Sequence, residues 1–474
     1  MTQFSTITNK VPGLRFMADA LDIRSTPGRH RLLKFRMMTR AEDIEHELEK
    51  VNLYRNFFTK LPKEKETLKY ILTDVHDITG TIGALKTDIV LDDIGLFEIK
   101  KFALNIQKIK DLLTTCSDIL PAMQKEAGQI NDMQEVIALL DPENQRIPHF
   151  YIYDAYDGNL AQLRKKYREV SHGNTEGKET EGLRLNCEEI EDTVRQQLTR
   201  SLSQNKEALQ ANLAIAGDID VWLAKAELAV GLNLTRPITQ TVTELKLEGL
   251  FNPAISDALK QRGKSWQPVD VELTEGPTLI TGANMGGKTV LLKTVALCQH
   301  LYQFGFFVPA ATALMKPYEK ILFSTGDEQS ELKGLSSFAS EMLKINGIIT
   351  STAKGEKVLA LIDEPARTTN PVEGLALVKA LIQHLSKYKA TSLVTTHYTI
   401  DNAGCRRLRV KGLTTGQMPS RPSIEAIQDY MDYSLAEVQE NDEVPQEALR
   451  IAEILEVDED YLKLAKEHLK AIKK

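Results

Sequence analysis

Cysteine is nearly absent from this chain: four residues in 474 (Cys116, Cys187, Cys298 and Cys405), far apart and with no CxxC pair. That excludes a disulfide framework or a thiolate zinc site and points to a reducing compartment, the cytoplasm. Aromatic residues are few as well, at 6%. No stretch approaches the roughly 18 uninterrupted apolar residues of a membrane span, so no membrane partner is expected. Residues 1–10 are polar and lead into Val11-Pro12-Gly13, so a secretory leader is not expected either. An excess of positive charge is also missing. Lys and Arg number 59 against 66 Asp and Glu, for −7 overall, and residues 1–240 hold 32 against 36, a net of −4. Non-specific nucleic-acid binding rests on Lys and Arg neutralising phosphates, and a general basic coat is excluded. Local clusters remain at 29–40, 164–168 and 406–411, and each reads first as an ordinary solvated face.

What the chain has is length and pattern. Its 474 residues suggest about three domains and enough apolar material for a large core. Residues 14–235 read as successive helices. Ile44, Leu48, Val51 and Phe58 keep a 3.6-residue period, and so do Phe97, Phe102, Ile106, Ile109 and Leu113 behind a capping Asp93. A longer pattern spans 186–231 (Ile190, Val194, Leu198, Leu202, Leu209, Leu213, Ala216), with Gly231 as its stop. The polar stretch 171–182 is predicted to be an exposed loop. From about 236 the texture changes. Short apolar runs at 278–281, 320–324, 358–362 and 392–396 alternate with helical patterns, as in a buried parallel sheet. Residues 426–474 return to helix, broken at Pro445. The expected fold class is α and α/β: a helical body over 1–235, an α/β domain over 236–425 and a helical tail over 426–474.

The chemistry is concentrated in the α/β part. Gly282-Ala283-Asn284-Met285-Gly286-Gly287-Lys288-Thr289 matches GxxxxGK[ST] between an apolar strand and a helical pattern, the context a phosphate-binding loop requires. Its glycines let backbone N–H groups turn inward around phosphates. Lys288 brings a charge to the β and γ phosphates of ATP, and the Thr289 hydroxyl is a ligand for Mg²⁺. The other half of such a site is a carboxylate at the end of a buried strand, which Asp363-Glu364 supplies after 358–362. Asp363 is expected to hold Mg²⁺ through its water shell and Glu364 to polarise the attacking water. His397 follows a third strand, where a histidine senses the γ-phosphate or is simply a strand-end residue. No LSGGQ-like string separates Lys288 from Asp363, which weakens a transporter-type reading. Instead a polar run reaches Ser336-Ser337 and then an apolar helical pattern (Phe338, Met342, Ile345, Ile349). Those hydroxyls either cap the helix or meet a phosphate, including one in a neighbouring subunit.

TLITGANMGGKTVLLKTVAL, FGFFVPA, GDEQSELKGLSSFASEM, LALIDEPARTTNPVEGLAL and VTTHY occur in that order and resemble the ATPase segments of the MutS family. GDEQS and NPVEG are most similar to the branch linked to recombination and ribosome rescue. Upstream, LDIRSTPGRHRL (21–32) resembles the start of the family's helical core. Ala216 to Asp220, with Ala224 and Ala226, resembles the helix leading back from its levers. Residues 448–466 resemble its C-terminal dimerisation helices. The resemblance implies an ATP- and Mg²⁺-dependent homodimer, joined through the ATPase domain and the C-terminal helices. It places Asn284 on the γ-phosphate, Ser336 and Ser337 on the ATP of the partner subunit, and His397 between nucleotide state and dimer interface. It makes Trp266 an aromatic platform for adenine, where a core tryptophan is the alternative. The chain also departs from the family. Ala283 stands for its usual proline, and Ala366 and Thr368 for glycines of DExGRGT, which bears on hydrolysis more than on binding. Neither the mismatch-reading wedge before Leu14, a DNA clamp in the short 171–182 stretch, nor a nuclease domain beyond Lys474 is expected. Two functions follow: an ATPase gating weak, mismatch-blind DNA binding, or a mechanical ATPase acting on a protein or ribonucleoprotein partner.

Overall fold

A computed structural model describes residues 2–87, 89–172, 178–239, 244–282, 286–324, 337–398, 400, 404–414, 430–438 and 447–472. The chain forms two compact units. One gathers Met1–Ala20, Arg36–Glu49 and Leu228–Lys474, and the other Leu21–Phe35 and Lys50–Glu227. This grouping differs from the linear division at 235 and 425. Phe4 is the reason at the N-terminus. It is buried and packs edge-on to Phe304 at 5.3 Å and stacked on Phe306 at 5.9 Å, inside the first unit. No helix among the described residues is long and apolar enough to cross a membrane.

All regular elements among the described residues of the second unit are helices. The Asp93–Cys116 helix is capped by Asp92, one residue before the expected cap, whose carboxylate accepts from Gly95 N at 2.8 Å. Its Lys100 is fully buried and donates to Asp141 at 3.1 Å and to the Tyr153 hydroxyl at 2.8 Å, so the charge is paired rather than stranded. The apolar pattern over 186–231 resolves into two helices, Lys178–Ser203 and Lys206–Gly231. Ser203 and Asn205 lie at the break, and both favour side-chain bonding over helix continuation; the Ser203 hydroxyl donates back to Arg200 O at 2.7 Å. Residues 178–182, expected in the loop, are the first turns of the former helix, because Glu179 and Glu181 suit a helix N-terminus. The two stretches 21–32 and 216–220 meet. Asp220 accepts from Arg24 N at 3.1 Å, Ser25 N at 2.7 Å and Ser25 Oγ at 2.6 Å.

Among its described residues the first unit holds two sheets. The smaller has the order β1-β5-β2-β3, from Ile238–Thr239 (β1), Leu245–Leu250 (β2), Val269–Leu273 (β3) and Thr312–Met315 (β5). The larger has the order β10-β9-β4-β8-β7-β6. It comprises Pro277–Thr281 (β4), Lys320–Ser324 (β6), Val358–Ile362 (β7), Thr391–Thr395 (β8), Arg406–Leu413 (β9) and Met431–Glu437 (β10). Five of its strands are parallel and β10 is antiparallel to β9. Every residue of β7 and β8 is buried, as strands covered on both faces must be. Strand β10 corrects the helical expectation for 426–474. Met431, Tyr433 and Leu435 alternate with polar residues, a period of two, and Leu435 pairs with Val410 of β9. Two helices follow among the described residues of the tail, Glu447–Ile454 and Glu459–Ile472.

Candidate functional site

Parallel strands deliver their C-terminal ends to one edge of the sheet, and β4, β7 and β8 are neighbours or next neighbours there. Strand β4 leaves through Gly282, whose φ of 135° suits only glycine. The chain re-enters the described structure at Gly286 and turns into the Lys288–Gln303 helix through Gly287 at φ 70°. Added bulk at Gly287 would lie 3.1 Å from the Tyr433 ring. Lys288 is 4% exposed, so its ammonium must be paired; it donates to Gly282 O at 2.6 Å and stands 3.5 Å from Glu364 Oε1.

The acidic half is built at the exits of β7 and β8. The buried Asp363 carboxylate accepts from the Thr289 hydroxyl at 2.7 Å and from the Thr395 hydroxyl at 2.6 Å. Glu364 N donates to Thr395 O at 3.1 Å and Thr395 Oγ1 at 3.0 Å. Arg367 donates to Glu364 Oε2 at 3.2 Å. Gly282, Lys288, Thr289, Asp363 and Glu364 therefore form one connected network. The backbone is bent to achieve it, with Glu364 at φ 43° and Ala366 at φ 60° around Pro365. Both are left-handed, a conformation that costs a non-glycine residue of order 1–3 kcal/mol unless its surroundings hold it. Two side chains hold it here: Glu341 accepts from Ala366 N at 2.8 Å, and the Tyr398 hydroxyl donates to Ala366 O at 3.3 Å. Burial pushes the Glu341 carboxyl above its ordinary pKa, against the opposing pull of the Ala366 N–H and the charges of Arg367 and Lys344.

A cleft of about 1000 Å³ opens beside this network, lined by Gly286, Gly287, Lys288 and Thr289 at one end and by Trp266, Lys264 and Tyr433 elsewhere. Trp266 is half-buried, its indole N–H anchored on Leu250 O at 3.1 Å. Tyr433 was not singled out from the sequence, although the two-residue alternation around it carries the signal. Its backbone N–H donates to Gln267 Oε1 at 3.1 Å, and Gln267 donates to Asp432 at 2.8 Å. Burial acts to raise the pKa of Asp432, but hydrogen bonds from Ser434 and Gln267 and the nearby Lys411 outweigh it and hold the group at about 2. His397 is exposed, with its ring 4.2 Å from that of Tyr398, and no hydrogen bond among the described residues joins it to the network. Ala283, Asn284, Met285 and Ser336 lie outside the described residues; Ser337 opens the Ser337–Ala353 helix, and its side chain is likewise outside them.

Residues 278–473 match the family described as MutS domain V. Among curated relatives, the endonuclease MutS2 of Carboxydothermus hydrogenoformans is 26% identical over 71% of this chain and 43% of its own length. That of Caldicellulosiruptor saccharolyticus is 26% identical over 79% of the chain and 54% of its own. That of Ruminiclostridium cellulolyticum is 33% identical over 45% and 28%. The chain thus spans about half or less of the length of these relatives.

Proposed function

We propose, for a chain that belongs to the MutS family in its MutS2 branch, an Mg²⁺-dependent ATP hydrolase whose nucleotide state gates weak, mismatch-blind binding to DNA. The observation that supports it best is the network linking Lys288, Thr289, Asp363 and Glu364 beside an aromatic-lined cleft. Gly286, Gly287 and the start of the Lys288–Gln303 helix offer backbone N–H groups and a positive dipole end to a triphosphate. Lys288 neutralises charge on its β and γ phosphates. Glu364 orients and deprotonates the attacking water, with Arg367 and Lys288 fixing its two oxygens. The Thr289 hydroxyl and the Asp363 carboxylate, 2.7 Å apart, are hard oxygen donors of the kind Mg²⁺ takes. They would hold the ion, which supplies neutralisation of phosphate charge. Trp266 gives the base a flat apolar face. The working unit in this proposal is a homodimer joined through the ATPase domain and the C-terminal helices, with Asn284 on the γ-phosphate, Ser336 and Ser337 reaching the partner's nucleotide, and His397 coupling that nucleotide to the interface.

A second reading, a mechanical ATPase acting on a protein or ribonucleoprotein, is favoured by one feature of the helical unit: several of its basic side chains are committed to acids. Arg164 pairs with Asp154 and Glu191, Arg195 with Asp93 and Asp192, and Arg184 with Glu181 and Glu188. Such cations are poor phosphate ligands. Nucleotide binding and turnover test the common ATPase core. Lys288→Ala is expected to abolish ATP binding. Glu364→Gln is expected to keep it while slowing hydrolysis at least about a hundredfold, the scale of general-base contributions. Wild-type turnover in Glu364→Gln would remove Glu364 from the reaction. Proteins that co-purify with Glu364→Gln in ATP would separate the two readings.

A further inference from the structure

The sharp turn after β7 raises a question that Lys288, Asp363 and Glu364 do not answer: what keeps Glu364 aimed? Its backbone is left-handed and precedes a proline, a position that ordinarily prefers extended conformations. Two residues on, Ala366 is left-handed again and 1% exposed. An alanine has no intrinsic reason to stay there, unlike a glycine. From outside the turn, one side chain reaches the Ala366 amide. Glu341, in the second turn of the Ser337–Ala353 helix, is 6% exposed and accepts from Ala366 N at 2.8 Å. Its buried carboxylate is committed to a backbone amide 25 residues away.

We propose that Glu341 is a positioning residue for the reaction: by fixing the Ala366 amide it holds the Glu364-Pro365-Ala366 turn left-handed and so holds the Glu364 carboxylate over the phosphate-binding loop. Glu341 touches neither nucleotide nor water in this scheme. It acts through the backbone of the turn, while the Tyr398 hydroxyl holds the next peptide unit, at Ala366 O. What the role requires of Glu341 is an acceptor oxygen at that spot, and its negative charge is dispensable. The scheme rests on the ATPase reading, but the clamp itself is a feature of the fold and has its own readout.

The test compares Glu341→Ala and Glu341→Gln with the wild-type chain in two measurements. The first is backbone hydrogen exchange of the peptide spanning Ala366. Glu341→Ala is expected to speed it at least about tenfold, while Glu341→Gln, which keeps an acceptor, stays near wild type. The second is steady-state ATPase kinetics. Glu341→Ala is expected to lower kcat by about ten- to a hundredfold, the cost of a small misplacement of a reacting group, at nearly unchanged KM. Glu341→Gln is expected to restore kcat to within about threefold. A merely structural role would lower the active fraction, which thermal melting and ATP binding would reveal, and would not produce this split. Unchanged exchange in Glu341→Ala would overturn the proposal, and so would a kcat for Glu341→Gln as low as that of the alanine variant. A wild-type chain without ATPase activity would overturn the functional reading instead, and the exchange experiment would still decide the clamp.

Discussion

Gly374 provides the sharpest structural perturbation of the Glu364-Pro365-Ala366 turn. It lies in the first turns of the Pro371–Lys387 helix, within the NPVEG string, and its φ is unexceptional. On helix propensity alone, Gly374→Ala should stabilise the protein by about 0.5–1 kcal/mol. Space dictates the opposite. A Cβ there would sit 2.2 Å from the Tyr398 hydroxyl and 3.0 Å from Ala366 O. Tyr398 can swing away only by giving up its hydrogen bond to Ala366 O and its ring contact with His397. Ala366 O belongs to the turn that Glu341 and Tyr398 pin. Overpacking of this kind costs about 1–3 kcal/mol, and the displaced Tyr398–Ala366 hydrogen bond adds about 0.5–1.5 kcal/mol. The net expectation is a destabilisation of about 1–3 kcal/mol. For a unit of this size that lowers the melting temperature by roughly 2–5 °C, read by calorimetry in one buffer across all variants. Tyr398→Phe removes the hydroxyl that collides, so Gly374→Ala/Tyr398→Phe should melt above Gly374→Ala, although Tyr398→Phe alone melts slightly below wild type. The reasoning fails if Gly374→Ala melts at or above wild type, or if the second substitution deepens the loss.

Trp266→Ala should weaken nucleotide affinity by about 1–3 kcal/mol, the range for a base losing an aromatic platform; unchanged affinity would leave Trp266 as an anchor for Leu250 O and nothing more. DNA binding should be weak, with Kd on the order of 10⁻⁴–10⁻⁶ M at physiological salt, because the helical unit spends several cations on its own acids. Fluorescence anisotropy should show matched and mismatched duplexes bound alike, and nanomolar affinity with a mismatch preference would contradict this.

How much of this was legible beforehand depends on how local each constraint is. A phosphate loop must be contiguous, because its amides come from successive residues, so Gly282 to Thr289 announce themselves. The Asp363-Glu364 pair is likewise visible at the end of an apolar run. Tyr433 is hidden because the pattern of residues 426–474 reads as helix, and only the pairing of β10 with β9 brings it to the cleft. Glu341 and Tyr398 were hidden for a deeper reason: they act on Ala366 from 25 and 32 residues away, and no periodicity encodes that distance. Ala366 itself shows where the two kinds of information join. The sequence marks it as an alanine where the family resemblance expects glycine, a departure that bears on hydrolysis without showing how. The φ of 60° supplies the consequence. The left-handed turn that glycine adopts without cost is kept here by an alanine, and the turn is held by a carboxylate on one side and a phenol on the other. An alanine in place of glycine therefore moves the conformational preference of the turn out of its own residues and into its neighbours, which makes Glu341 and Tyr398 part of what the Glu364 carboxylate needs to act as the proposed base.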